Sequence, residues 1–510
     1  MTEPAPAHGA AQDAPDFLKG VPAADIPEGG KLAGRVGEEE VLVARIGGEL
    51  LAVGARCTHY QGPLGEGLIV GDTVRCPWHH AHFCLRTGEA LAAPAIDPLK
   101  RWTAREADGV IRVDPTPAEA PAKPRLRRDG GPRRVVVVGG GAAGFAAAEM
   151  LRREGFDGAV TIISADADAP YDRPNCSKDY LAGQAPAEWM PLRDAAWYAD
   201  NDVDLQLDTE AAGLDVAAKT VSLKNGRSLG YDALLIATGA EPVRLPVEGF
   251  ARRDAYVLRS LRDAEALVAA AGRATRVAIV GASFIGLEVA AALRSRGLEV
   301  HVAAPEAVPL ARVMGEDIGR WIQSLHEQAG VVFHLGRGVR RWADGGLTLD
   351  EGETIAADFL LQGVGVRPRT QLAEAAGLAL DRGIVVDARL RASAADVYAA
   401  GDVARFPDHR TDQGVRIEHW VHAERQGQHV ARMILGDDAP YAETPFFWSV
   451  HEDATVRYVG HAEAFEPPVV EGSLERRDAA VPFTSDGRLA ALATVGRDLR
   501  SLQVGVELQG

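Results

Sequence analysis

The chain of 510 residues lacks long apolar runs and contains few cysteines. Eighteen consecutive apolar residues occur nowhere in it, and its opening stretch, MTEPAPAHGAAQDAPDF, has neither the basic nor the apolar part of a secretion signal. The four cysteines, Cys57, Cys76, Cys84 and Cys176, are too few for a disulfide scaffold. These absences exclude a membrane-spanning protein and predict a soluble, cytoplasmic one.

Basic residues are also in deficit. The sequence has 55 Lys and Arg against 72 Asp and Glu, which gives a formal charge of -17 at pH 7. Such a balance argues against a nucleic-acid partner, because binding to phosphate backbones depends on Lys and Arg. At 46% hydrophobic and 25% charged residues, the composition is that of an ordinary globular protein. With about 150 residues per domain, this length predicts three or four domains.

Two Cys-His pairs stand out near the amino end. Cys57-x-His59 and Cys76-x-x-His79 are separated by sixteen residues. These two pairs have three possible explanations: a structural zinc site, a [2Fe–2S] cluster, or chance. Zinc fingers usually pair Cys with Cys and His with His, whereas each pair here supplies one residue of each kind. This mixture favours a cluster in which one iron takes both thiolates and the other takes both imidazoles.

The spacing C-x-H-x16-C-x2-H, with CPWH in the second loop, strongly resembles Rieske iron–sulfur proteins. Members of higher potential carry one more cysteine in each loop, and here Gly62 and Trp78 stand in those places, so the resemblance is to the soluble ferredoxin type. The family usually has Gly after the second His, where this chain has His80. We interpret His80 and His82 as solvated loop histidines rather than extra ligands or proton carriers, and Cys84 as a small buried residue.

Two glycine-rich turns follow apolar strands further along the chain. Gly139-x-Gly141-x-x-Gly144 comes directly after VVVV, and Asp166 follows the next strand, VTII. Strand, turn, helix and acid together predict a dinucleotide site, in which the helix N-terminus receives a pyrophosphate.

The second turn is Gly281-x-Ser283-x-x-Gly286. The acid expected after its next strand is missing, since Ala304 stands there and Glu306 comes two residues later. The choice between NADH and NADPH therefore stays open.

Further segments make the resemblance more specific: PYDRPNCSKDYL, ATGAEP, LRSLRDAEAL, GVGVRP, VYAAGDVA, RIEHWVHAERQG and PFFWS. In this order they resemble the FAD-dependent pyridine-nucleotide reductases of the dioxygenase-ferredoxin-reductase and apoptosis-inducing-factor group. With the Rieske module in front, the chain from about residue 17 to 510 resembles an apoptosis-inducing-factor-like protein. The implied fold is multidomain, with an all-β Rieske domain, two α/β Rossmann-like nucleotide-binding domains for FAD and NAD, and a small α+β C-terminal domain.

The resemblance also implies site residues. Contacts with FAD are implied for Gly139, Gly141, Gly144, Asp166, Arg173, Lys178, Arg259 and Asp402. Contacts with the pyridine nucleotide are implied for Phe284, Ile285, Gly286 and Gly365. Positions beside the flavin and nicotinamide are implied for Glu418, His419 and Trp448. Catalytic roles are implied for Lys178, its partner Glu288, and Trp448. The predicted cluster ligands are Cys57, His59, Cys76 and His79.

The predicted domain boundaries follow from these assignments. They are a disordered segment at 1–15, the Rieske domain at 16–113, a linker at 114–133, the FAD domain at 134–257 and 378–433, the NAD(P) domain at 258–377 and the C-terminal domain at 434–510.

Three functions remain open. The first is an electron relay from NADH or NADPH through FAD to the Rieske cluster and on to a redox partner such as an oxygenase or cytochrome. The second is a flavin-thiol peroxidase or oxidase that uses Cys176, although a simple apolar replacement is the favoured interpretation of this residue. The third is a redox-sensing binding protein. Disulfide reduction is not expected, because a second cysteine is absent at the required spacing.

The sequence leaves open whether the protein forms a homodimer.

Overall fold

A computed structural model of the chain describes residues 14–119 and 130–510. The described residues form two compact units, a smaller one made of 14–119 with 497–510, and a larger one made of 130–496. Residues 1–13 of the predicted segment 1–15, and residues 120–129 of the predicted linker 114–133, lie outside the described residues. The remaining predicted domain boundaries stay predictions.

The α-helices of the described residues are α1 (Ala142–Arg153), α2 (Asp179–Ala182), α3 (Ala195–Asp200), α4 (Leu261–Ala271), α5 (Phe284–Ser295), α6 (Ala311–Gln328), α7 (Gln371–Ala375), α8 (Trp420–Leu435) and α9 (Asp498–Glu507). None of these helices is both long enough and apolar enough to cross a membrane.

The smaller unit is built from strands and helix α9. Its strands are β1 (Val21–Pro22), β2 (Lys31–Val36), β3 (Glu39–Ile46), β4 (Glu49–Gly54), β5 (Leu68–Val70), β6 (Thr73–Arg75), β7 (His82–Cys84), β8 (Ala90–Ala92), β9 (Arg101–Ala107) and β10 (Val110–Val113). One antiparallel sheet has the order β1-β10-β9-β4-β3-β2, and a second runs β5-β6-β7-β8.

Strand β3 is buried on both faces, which explains its continuous apolar run VLVA. Val41 and Val43 pack in one core with Trp102. Leu42 and Ala44 face the other way, into a core that also contains Cys57 and Cys76. Because side chains alternate along a strand, β3 contributes to both cores, one of which includes the cysteines of the two Cys-His loops.

The strands of the larger unit, in chain order, are β11 (Arg134–Val138), β12 (Ala159–Ile163), β13 (Val203–Gln206), β14 (Ala211–Asp215), β15 (Thr220–Leu223), β16 (Ser228–Gly230), β17 (Ala233–Ile236), β18 (Ala240–Pro242), β19 (Ala255–Tyr256), β20 (Arg276–Val280), β21 (Glu299–Ala304), β22 (Val331–Leu335), β23 (Val339–Ala343), β24 (Gly346–Leu349), β25 (Thr354–Ala356), β26 (Phe359–Gln362), β27 (Val366–Pro368), β28 (Ile384–Val385), β29 (Val397–Ala399), β30 (Ala404–Pro407), β31 (Gly414–Val415), β32 (Phe446–His451), β33 (Ala454–Gly460), β34 (Glu471–Ser473), β35 (Asp478–Ser485) and β36 (Arg488–Val495).

Two parallel sheets organise this unit. The first has the order β13-β12-β11-β17-β29 and the second β19-β26-β20-β21-β22. Strands β11 and β20 each lead through a glycine-rich turn into a helix, α1 and α5. Helix α1 packs closely on α8, where a Cβ at Gly427 would lie 2.1 Å from the carbonyl oxygen of Ala143. Only glycine permits this approach, which fixes the turn at the end of β11 against α8.

The remaining large sheet is antiparallel, with the order β32-β33-β36-β35-β34. It shares an apolar core with α6, in which Trp321 and Ile322 meet Val456 and Phe483. Strand β32 begins this sheet and carries Trp448 and Ser449. The α/β and antiparallel parts together confirm the predicted multidomain fold class.

Candidate cofactor sites

The two Cys-His loops of the smaller unit have the same backbone plan. The amide of Cys57 donates to the carbonyl of Gly62, and the amide of Cys76 donates to the carbonyl of Ala81. Gln61 and His80 donate back to the carbonyls of the two cysteines, and both have a left-handed backbone, with φ of 62° and 58°. The two predicted ligand pairs therefore lie on equivalent turns, and Gln61 and His80 occupy corresponding positions.

The four predicted ligands meet as two like pairs. The Nδ1 atoms of His59 and His79 face each other at 3.2 Å. The Cys57 thiol is hydrogen-bonded to Cys76, and this contact together with burial raises the pKa of Cys57 well above its usual value. Within residues 14–119 and 130–510, three or more Cys, His, Asp or Glu side chains do not come close enough together to hold a metal ion. One pair of thiols and one pair of imidazoles are nevertheless the donors that a binuclear cluster with two ligands on each iron requires.

Gly62 and Trp78 pack tightly around this donor set. A Cβ at Gly62 would lie 2.8 Å from Cys76 Sγ and 3.2 Å from the Trp78 ring. The ring of Tyr60 stacks on His59 at a centroid distance of 4.0 Å and meets the edge of His79. Sequence reasoning did not single out Tyr60, although its place beside a predicted ligand was a signal.

The expectation of solvated loop histidines is wrong. His80 is only 4% exposed and His82 only 9% exposed. His82 opens strand β7, and the imidazole of His80 contacts Ser501 of helix α9. Cys84 is half-buried rather than buried. Distant parts of the chain cover this loop, and the local sequence does not report them.

A cavity of about 390 Å³ lies in the larger unit, between the two glycine-rich turns and strand β32. Most of the predicted flavin and nucleotide contacts line it, and they are Gly141, Arg173, Lys178, Arg259, Phe284, Ile285, Glu288, Gly365, Asp402, Glu418, His419 and Trp448. The structure therefore brings together residues that are scattered over three hundred positions of the sequence.

Four predicted residues do not line this cavity: Gly139, Gly144, Asp166 and Gly286. Three of them form the turns themselves. A Cβ at Gly144 would lie 1.9 Å from the carbonyl oxygen of Gly139, and one at Gly286 would lie 2.2 Å from that of Gly281. Asp166 follows β12 and accepts a hydrogen bond of 2.9 Å from Tyr171. Their roles in binding stay predictions.

Lys178 and Glu288 form a buried ion pair on the cavity wall. Lys178 Nζ donates to Glu288 Oε2 across 2.8 Å. The hydroxyl of Ser177 donates to the same oxygen at 2.6 Å, and Ser449 donates to Oε1 at 2.8 Å. Glu288 thus has its charge compensated by one cation and two hydroxyl donors. Ser177 and Ser449 were not among the predicted site residues, because only folding brings their hydroxyls within hydrogen-bond distance of Glu288.

Other polar groups of the cavity suit a polar ligand. Arg259 pairs with Asp402 across 2.5 Å. Arg173 Nε and His419 Nδ1 are buried and have no hydrogen-bond partner among the described residues. Burial lowers the pKa of His419 to about 3, so its imidazole is neutral at physiological pH. Buried polar groups without partners are uncommon, and a bound cofactor would supply partners here.

The second turn shows why serine replaces glycine at its centre. Ser283 caps helix α5 and accepts from the amide of Gly286 at 3.2 Å. Its hydroxyl donates to the carbonyl of Gly363 at 2.7 Å. The side chain therefore joins the turn after β20 to the segment after β26, on the side of the cavity that Phe284 and Ile285 line.

Cys176 lines the cavity, and its thiol is buried. It is 2% exposed, and burial raises its pKa to about 12. Catalytic cysteines need a low pKa and access to solvent or substrate. The chain has no further cysteine in this unit, because Cys57, Cys76 and Cys84 belong to the smaller one. The interpretation as an apolar replacement agrees with this burial, and the cavity holds no dithiol.

Two known families match the chain. Residues 133–427 match the family described as Pyridine nucleotide-disulphide oxidoreductase, and residues 17–103 match the Rieske [2Fe-2S] domain. Among curated proteins, Apoptosis-inducing factor 3 of Homo sapiens is 30% identical over 492 residues, which cover 93% of this chain and 81% of that protein.

Bacterial reductases are similar over the larger unit. The anthranilate 1,2-dioxygenase system ferredoxin–NAD(+) reductase component of Burkholderia cepacia is 39% identical over 367 residues, or 69% of this chain and 88% of that protein. The crystal structure of the covalent putidaredoxin reductase-putidaredoxin complex superposes with a TM-score of 0.71 at 32% identity, covering 74% of this chain and 93% of that one.

These matches confirm the predicted family, enzyme class and cofactors, which are FAD, a pyridine nucleotide and a Rieske [2Fe–2S] cluster. The chain belongs to the pyridine nucleotide-disulphide oxidoreductase family and joins a reductase of the ferredoxin-reductase type to an amino-terminal Rieske domain.

Proposed function

We propose that this protein transfers electrons from NADH or NADPH through FAD to its own Rieske cluster and then to an external one-electron acceptor in the cytoplasm. The observation that carries this proposal is the pairing of two thiols and two imidazoles in the smaller unit. The larger unit has one cysteine and therefore lacks a dithiol that would receive electron pairs, so the natural acceptor for single electrons is the cluster of the smaller unit.

The cofactors supply the redox chemistry and the protein positions them. When bound, FAD accepts a hydride from the nicotinamide and releases its two electrons singly, while the cluster takes up one electron at a time. We assign Cys57 and Cys76 as ligands of one iron, and His59 and His79 as ligands of the other. Their separation into like pairs supports this assignment.

Residues of the cavity would hold the flavin and nucleotide. Arg173 presents a buried guanidinium with an unused donor, which suits the anionic end of FAD. The Lys178–Glu288 pair would orient the flavin ring, because Ser177 and Ser449 hold the Glu288 carboxylate, which in turn holds the Lys178 ammonium.

On the other side of the cavity, Phe284 meets Phe447 edge to face at 5.0 Å, beside the turn that we assign to the nicotinamide nucleotide. The neutral ring of His419 packs on Phe447 at 4.5 Å, which keeps this part of the wall apolar. Trp448, whose ring centroid lies 6.0 Å from Lys178 Nζ, would lie beside the flavin ring.

The names of the relatives support an external acceptor. The Burkholderia cepacia relative is a component of a dioxygenase system, and the putidaredoxin reductase was solved in complex with putidaredoxin. In this chain a Rieske domain is already fused to the reductase, so the ferredoxin step would be internal. The acceptor would then be an oxygenase or a cytochrome.

An anaerobic titration of the purified protein with NADH tests the proposal. Visible absorption would follow the flavin, and electron paramagnetic resonance would follow the cluster. We expect flavin bleaching and a Rieske-type signal that grows with added NADH. A cluster that dithionite reduces but NADH does not would contradict the relay, and a protein without iron and acid-labile sulfide would contradict the cluster assignment.

A further inference from the structure

The second Cys-His loop has a strained residue at its turn. His80 adopts φ of 58°, a left-handed backbone that residues other than glycine rarely adopt because of their Cβ. Its counterpart in the first loop, Gln61, has the same conformation. Gln61 is exposed, whereas His80 is buried. A residue that keeps this conformation inside a core needs specific support from its surroundings.

Helix α9, at the opposite end of the sequence, supplies that support. Its Ser501 is fully buried, and the Oγ atom shares a hydrogen bond of 3.2 Å with His80 Nε2. Just beyond the helix, Gln509 Oε1 accepts from the Arg75 guanidinium at 2.9 Å. Arg75 directly precedes Cys76, and His80 directly follows His79. The helix region thus contacts the two residues that bracket the second ligand pair.

We propose that helix α9 is part of the cluster site and that Ser501 is a positioning residue, which acts through His80 to set the reduction potential and the retention of the cluster. This inference rests on the cluster assignment of the proposed function. It assigns a cofactor role to the carboxyl-terminal residues, which follow directly after a strand of the larger unit.

The backbone of the loop links the Ser501 contact to the cluster. Amide groups that donate to cluster sulfurs raise the reduction potential, and their directions depend on the backbone angles of the ligand loops. Without the hydrogen bond from Ser501, His80 loses one of the contacts that offset the cost of its left-handed backbone, so this conformation should relax more often. Relaxation would turn the amides of this loop and let the loop open more often.

Ser501→Ala in the full-length protein tests the inference, with Gln503→Ala as the matched control. Gln503 lies two residues further on the same helix and is exposed. We expect Ser501→Ala to lower the reduction potential and to shift the electron paramagnetic resonance g-values. It should also speed iron release to a chelator about fivefold, the factor that corresponds to the free energy of one net hydrogen bond. Gln503→Ala should match the wild type in all three measurements.

The titration should use dithionite and mediators at one fixed pH, so that failure of electron transfer from NADH does not affect the measured potential. A second pair of variants isolates the contact. In a His80→Gly background, Ser501→Ala should change neither the potential nor the iron release, because the residue through which Ser501 acts is gone. Equal effects of Ser501→Ala in both backgrounds, or no effect in either, would overturn the inference.

Discussion

Lys178 and Glu288 meet across 2.8 Å although they lie 110 residues apart in the sequence. Lys178 follows the short 3₁₀ turn Arg173–Ser177, and Glu288 lies on α5, the helix of the second glycine-rich turn. Ser449 of β32 also reaches Glu288, so three separate segments of the fold converge on one carboxylate. The pair therefore couples the geometry of both predicted dinucleotide sites to the antiparallel sheet.

Glu288→Gln should slow flavin reduction by NADH at least about tenfold, which corresponds to ~1.4 kcal/mol in the activation barrier. The substitution preserves the shape of the side chain but leaves Lys178 buried without its counter-charge, so the ammonium no longer holds one position. Anaerobic stopped-flow absorption at the flavin band measures the rate.

Glu316→Gln is the control for this prediction, since Glu316 lies on α6 and is exposed. It should leave the rate of flavin reduction unchanged. A Glu288→Gln protein that binds FAD normally and is reduced at the wild-type rate would show that the ion pair has no part in positioning the flavin.

Cys57→Ser should abolish the cluster and spare the flavin. Serine would replace the thiolate that we assign to the cluster with a poor ligand, while the cavity that we assign to FAD lies wholly within residues 130–496. We expect loss of iron and acid-labile sulfide, loss of NADH-dependent cytochrome c reduction, and an unchanged rate of flavin bleaching.

Cys84→Ser serves as the matched control because Cys84 belongs to the same unit but lies outside the two ligand loops. It should retain the full iron content. If Cys84→Ser lost the cluster while Cys57→Ser retained it, the ligand assignment would have to be abandoned.

The local sequence was enough to predict the elements but not the contacts between distant segments. The strand-turn-helix signals at Gly139 and Gly281 and the Cys-His spacing are local patterns, and the structure shows the expected turns at each of them. The buried His80 contacts Ser501, which is 421 residues away, and no local pattern encodes such a contact. The hydroxyl donors to Glu288 were missed for the same reason, since serine is common and its role here depends on the fold.

Acid should destabilise the larger unit below about pH 6.5. Burial lowers the pKa of His326, His419 and His451 to about 3, from 6.5 for an ordinary histidine. Between these values each of the three histidines binds a proton in the unfolded chain but not in the folded one, so its contribution to stability is complete above pH 6.5 and is lost as the pH falls toward 3. Each histidine contributes up to ~1.4 kcal/mol per pH unit in this window.

Urea unfolding at pH 7.5 and at pH 5.5, monitored through the release of flavin, measures this loss of stability. His326→Gln removes one of the titrating groups, whose Nε2 atom lies 3.1 Å from Nδ1 of His451. The stability of this variant should therefore fall less between the two pH values than that of the wild type. His409→Gln, at a half-buried position, is the comparison variant. A steeper fall in His326→Gln than in the wild type would contradict the prediction.

Cys176 should resist alkylation in the native protein. With its pKa raised to about 12 by burial, the thiolate fraction at pH 8 is roughly a thousandth of that of an ordinary cysteine, and iodoacetamide should react correspondingly slowly. Mass spectrometry of peptides after native and denaturing labelling gives the comparison, since denaturation exposes the same thiol as its own control.

Cys176→Ala then separates the electron relay from thiol chemistry. The variant should reduce cytochrome c with NADH as fast as the wild type, because a neutral buried thiol contributes only packing to the cavity wall. A peroxidase that uses Cys176 makes the opposite prediction. It requires a sulfenic acid that dimedone would trap after peroxide treatment, and it requires peroxide turnover that Cys176→Ala abolishes and Cys57→Ser preserves. Trapping at Cys176 at a rate comparable to turnover would therefore establish the thiol function in place of the relay.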